Sequence, residues 1–178
     1  MTDKLQRPPQ AAPIAEPLRP TATRADITAA AVAWIGIVLG VVIKLAFAGW
    51  FLFWLIPASP VVVGVPVAGA VVLNGVLLRG WPRGRSWSVV PARYRVLAWV
   101  LGLAFLLAGA SMVDGGDDGE TRSGLAALLG QDHAPQTAEV AFYAWWVAAI
   151  AAVVSIVWFV VDRRSARART TTAAAELD

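Results

Sequence analysis

Four long apolar runs constrain this chain more than anything else in it: residues 27–56, 61–78, 96–113 and 140–161, interrupted by a single charge, Lys44. Each approaches or exceeds the ~20 residues that a helix needs to cross a hydrocarbon core of ~30 Å. The run VVVGVPVAGAVVLNGVLL is rich in β-branched residues and would suggest a strand in a soluble protein. In lipid the backbone must satisfy its own hydrogen bonds, so a single run of this length favours helix. A hydrophobic content of 58% with only 15% charged residues in a chain of 178 also departs from ordinary soluble composition. The expected fold is an all-α membrane protein with four transmembrane helices arranged as two antiparallel hairpins.

Sidedness follows from the charges. Apart from Lys44 and Arg122, the fifteen Lys and Arg fall in three places: the N-terminal tail, the segment RGWPRGRSWSVVPARYR with Arg79, Arg83, Arg85, Arg93 and Arg95, and the C-terminal tail. Those are the three segments that four crossings leave in one compartment. The segment after the third run instead carries Asp114, Asp117, Asp118, Glu120, Asp132 and Glu139. Positive loops remain cytoplasmic, which predicts both termini inside and the acidic loop outside, in a plasma (inner) membrane. The Ala, Val, Arg and Gly bias matches the composition of high-GC bacteria.

The resulting map has a disordered cytoplasmic tail over 1–26, spans near 30–56, 61–79, 93–113 and 140–161, a basic inner loop 80–92, an acidic outer loop 114–139, and a disordered basic tail over 162–178. The first run is expected to be an uncleaved span, because acidic residues precede it and Lys44 and Trp50 flank the small-residue triplet Ala46-Phe47-Ala48. Asp26 is placed as the N-cap of the first span. Pro57-Ala58-Ser59-Pro60 is placed as the turn of the first hairpin. Pro66 should kink the second span unless a neighbour compensates for its missing donor. Trp50, Phe51, Phe53 and Trp54, with Tyr143, Trp145 and Trp146, mark one interface, while Trp81, Trp87, Tyr94, Trp158 and Phe159 mark the other. SGLAALLG in the outer loop suits a short helix on the membrane surface.

A lysine within an apolar run costs about 2.5–3.5 kcal/mol on insertion scales and seldom faces lipid. Gly36, Gly40, Lys44 and Ala48 recur at every fourth position, so they share a helix face that admits close approach. Reflecting the hairpin about Ser59 brings Lys44 level with Asn74, the only amide side chain in the four runs, and predicts an intramembrane polar pair. Snorkelling of Lys44 toward the cytoplasmic side is the competing placement. Further small-residue stripes, Gly64 with Ala68, Ala98 with Gly102, and Ala144, Ala148 and Ala152, predict helix packing within the chain or with another one. The five arginines from Arg79 to Arg95 are expected to contact anionic lipid headgroups as well as set topology.

Little chemistry is in view. The chain has no cysteine and one histidine, His133, which excludes thiolate catalysis and a zinc site of the usual donors. The acidic turn lacks the alternating spacing of a calcium loop and is expected to be solvated. The pI near 10.0 is accounted for by topology, without a nucleic-acid recognition module. The sequence therefore points to a non-enzymatic accessory or scaffolding subunit without a cofactor. Its expected partners are the lipid bilayer and a membrane protein or second copy of the chain. The alternative is an oligomeric channel or carrier for a small anion or lipid that uses Lys44. A membrane enzyme acting on lipid would need His133, Asp114 and Glu139 to meet.

Overall fold

The computed structural model describes residues 22–47, 51–81, 90–115 and 121–175. It is helical almost throughout, with four helices long and apolar enough to cross a membrane. The elements are α1 (Arg24–Ala46), α2 (Phe51–Val62), α3 (Gly64–Arg79), α4 (Ala92–Ser111), strands β1 (Asp114–Gly115) and β2 (Thr121–Arg122), then α5 (Gly124–Leu129), a 3₁₀ turn (Gln131–His133) and α6 (Ala134–Ala175). β1 and β2 pair antiparallel, Asp114 opposite Arg122. Residues 1–21 of the expected tail over 1–26, together with Ala48, Trp50, Arg83, Arg85, Trp87, Asp117, Asp118 and Glu120, lie outside the described residues, and the end of that tail, Arg24 to Asp26, is the first turn of α1 and not disordered.

Several boundaries differ from the sequence reading. The first apolar run is not one helix: α1 ends at Ala46, and Pro57 and Pro60 lie inside α2 instead of forming a turn. Proline interrupts a membrane helix less severely than a soluble one, because neighbouring groups can take up the freed carbonyls. Asp26 is also not the N-cap. Thr23 is, and Asp26 sits three residues on in a capping box, its carboxylate accepting from the Thr23 amide at 2.9 Å and hydroxyl at 2.7 Å. The tail from Asp162 is helical to Ala175, where disorder was expected. Its Ala- and Arg-rich sequence propagates a helix already nucleated in the span, and nucleation is the costly step.

The core is built from small side chains. Ala29, Ala33, Ala98, Ala148 and Ala152 are buried, while Ile35, Leu103, Ile150 and Val157 are exposed on the outside, where lipid is the solvent. The largest interface of α1 is with α4. These two helices run in the same direction, since Asp26 meets Arg95, Gly36 meets Gly102, and Gly40 meets Phe105. A side chain at Gly36 would collide with the Gly102 carbonyl, and one at Gly40 would lie 2.7 Å from the Phe105 oxygen. α3 and α6 are also parallel, with Val62 just before α3 near Trp145, and Gly69 against Ala152.

The break between α2 and α3 has a local cause. Pro66 has no N–H to donate to the carbonyl of Val62, four residues earlier. That oxygen accepts instead from the Trp145 indole N–H on α6, at 3.3 Å. The neighbour that Pro66 requires is therefore a tryptophan.

Candidate functional site

The charges within the bundle are arranged as interhelical pairs. Lys44 Nζ donates to Asp114 Oδ2 at 2.9 Å, and both side chains are almost wholly buried. At the opposite end of the same two helices, Arg95 Nε donates to Asp26 Oδ1 at 2.6 Å. Asp26 and Lys44 are eighteen residues apart in α1, about 27 Å at ~1.5 Å per residue, which nearly spans a hydrocarbon core. The two pairs thus stand at the two edges of the apolar zone. Their polarity is opposite: α1 supplies the carboxylate at one end and the ammonium at the other.

A third pair joins α4 to α6 at the Asp26 end. Asp162 Oδ2 accepts from Arg93 Nη2 at 2.7 Å and from the hydroxyl of fully buried Tyr94 at 2.6 Å. The Arg93 guanidinium also lies over the Trp158 ring, 5.1 Å from its centroid. Packing, hydrogen bonding and cation–π attraction thus converge on one arginine.

These contacts correct the pairing expected for Lys44. Its ammonium is held by Asp114, while the buried Asn74 Oδ1 has no hydrogen-bond partner among the described residues. The reflection about Ser59 fails because Ser59 lies inside α2, and Lys44 shares a cavity wall with Val62 and Val63 instead of standing level with Asn74. Nor does Lys44 lean back along α1 toward its N-terminus. It reaches across to Asp114, three residues beyond the end of α4. Asp114 is correspondingly not a solvated acid, and Arg93 and Arg95 spend their charge on carboxylates. Arg79 is exposed in the last turn of α3.

The small-residue stripes divide. Gly36, Gly40, Ala98 and Gly102 line the α1–α4 contact, and Ala144, Ala148 and Ala152 are buried. Gly64 and Ala68 do not pack within the chain: nothing lies within 4 Å of a side chain built at Gly64, and Ala68 is exposed. The inward face of α3 carries Gly69, Ala70 and Leu73 instead. His133 and Glu139 are exposed, whereas Asp114 is buried in its ion pair. No cluster of three metal-ligating side chains occurs among the described residues.

Sequence reasoning missed an apolar cavity of about 570 Å³ at the Lys44 end, lined from α1, α2, α4 and α6 as well as the residues just beyond α2 and α4. Its walls include Gly40, Val62, Phe105, Ala141 and Trp145, with Lys44 at one end. The volume falls within the ~300–1,000 Å³ of small-molecule sites. Periodicity alone does not reveal it, because it arises where α2 diverges from the bundle. α2 leans chiefly on α3 and β1.

Comparison with family models, with curated proteins and with solved structures finds no match to this chain.

Proposed function

We propose that this chain is a non-enzymatic accessory or scaffolding subunit of a bacterial plasma membrane, built as two antiparallel helical hairpins with both termini cytoplasmic. The observation that carries this reading is the use of charge. The buried carboxylates Asp26, Asp114 and Asp162 each bind a cation on a neighbouring helix, so they serve assembly of the bundle. The outward stripe of Gly64 and Ala68 supplies a face on which a partner helix or second copy packs. Anionic headgroups are met by the basic segments, including exposed Arg79, Arg163 and Arg164.

Two experiments test the proposal. Because the native chain has no cysteine, single cysteines introduced at Gln136 and Thr172 report sidedness to an impermeant maleimide. Labelling at Gln136 alone in intact cells is expected, and the reverse pattern refutes the orientation. Purification of the full chain in mild detergent is expected to retain a stoichiometric membrane-protein companion or a second copy, lost in Ala68→Phe. A monomer with no companion, or a companion indifferent to Ala68→Phe, refutes the scaffolding role.

The alternative of a carrier or channel using Lys44 is narrowed by its pairing. Asp114 cancels the charge that would attract a small anion, whereas the apolar cavity beside Lys44 favours a lipid. Lys44→Met in a flux assay with the reconstituted chain tests this second reading, which an unchanged signal removes.

A further inference from the structure

The cavity has the dimensions and chemistry of a site for one hydrocarbon chain. On α4 and just beyond it, its lining runs from Phe105 to Val113, about 9 Å along the axis to the helix end at Ser111 and a few Å more beyond it. One leaflet occupies half of a ~30 Å core, so the depth corresponds to a single leaflet. The cavity begins at the Lys44–Asp114 pair, which lies about 27 Å along the helices from the Asp26–Arg95 pair at the other edge. It therefore extends inward from one interface and stops near the midplane. An anion finds no uncompensated charge at Lys44, and the remaining walls are almost wholly apolar. An apolar space of this kind, in a chain with four helices suited to a membrane, is complementary to hydrocarbon.

We infer that the cavity between α1, α2, α4 and α6 binds one acyl chain of a bilayer phospholipid from the leaflet at the Lys44–Asp114 end. The chain lies along the helix axes, from Val113 toward Phe105 and Trp145, and fills the space that α2 leaves beside the bundle. This goes beyond the scaffolding role and holds whether or not a protein partner exists.

The test uses the full chain in phosphatidylethanolamine–phosphatidylglycerol vesicles doped with a phospholipid carrying a diazirine in one acyl chain. After irradiation, adducts are mapped by mass spectrometry. Adducts concentrated on residues 58–63 and 105–113 are expected. Ala141→Phe, which fills the cavity, should reduce them about tenfold, whereas Ile150→Phe on the exposed face of α6 should leave them unchanged. Ala58→Phe provides a second filling variant, and circular dichroism establishes that each variant keeps its helix content. Cavity adducts equal in the filling and control variants overturn the inference. So does loss of cavity adducts on adding a substoichiometric polyisoprenyl phosphate, which assigns the space to an isoprenoid chain.

Discussion

Removing one member of the Lys44–Asp114 pair should cost far more than removing both. At an effective dielectric of about 20, unit charges near 3 Å apart attract by roughly 5 kcal/mol, against a desolvation penalty of several kcal/mol for each ion. The intact pair therefore contributes little net stability. Lys44→Met removes the ammonium that sits 2.9 Å from the fully buried Asp114 carboxylate, for which about 3–5 kcal/mol of destabilisation is expected, as it is for Asp114→Leu. The double variant Lys44→Met/Asp114→Leu should fall within about 1 kcal/mol of the native chain, because neither member of this ion pair is left behind. Unfolding in mixed micelles by titration with denaturing detergent measures all three variants and the native protein in one series. A double variant as unstable as the sum of the singles would falsify the paired arrangement. Single variants within about 0.5 kcal/mol of native would show that the two groups are hydrated instead of buried.

Other consequences follow from particular contacts. Gly102→Leu should prevent the bundle from closing, since any side chain there meets the Val32 carbonyl, whereas Gly64→Leu should leave the stability of the isolated chain within about 0.5 kcal/mol; thermal unfolding in detergent separates them. Trp145→Phe should cost about 0.6–1.7 kcal/mol by stranding the Val62 carbonyl, and less in a Pro66→Ala background, where an amide can supply the missing donor; equal losses in both backgrounds contradict the pairing of tryptophan with proline. Tyr94→Phe should destabilise by roughly 1 kcal/mol and Asp162→Ala by more, because the second change removes an acceptor shared by Tyr94 and Arg93. Equal losses in the same titration would mean that Arg93 contributes nothing to the joint.

The four helices long and apolar enough to cross a membrane were legible because length and apolarity alone decide them. The positions of the breaks were not, since Pro57 and Pro60 signal a turn in water and are accommodated in a helix here. The inward glycines of α1 were readable from their spacing, yet that spacing does not say which helix they face. It led to Asn74 on the next span instead of Asp114 beyond the following one. A signal was nevertheless present. Asp26 and Lys44 are separated by eighteen residues, and Arg95 and Asp114 by nineteen, with the signs reversed. Two parallel helices carrying such matched intervals can satisfy every charge at once. The cavity had no comparable signature, because it depends on how α2 leans.

The length of α6 has a mechanical consequence. Its forty-two residues measure about 63 Å, roughly twice the ~30 Å that the apolar core requires. The stretch from Asp162 to Ala175 is therefore a stiff stalk about 20 Å long, continuous with the span and clamped at its base by Arg93 and Tyr94. A swing of about 10° at that joint displaces the tip by roughly 3–4 Å over this lever length. Small adjustments where Asp162 sits are thus delivered, enlarged, to the far end of the rod.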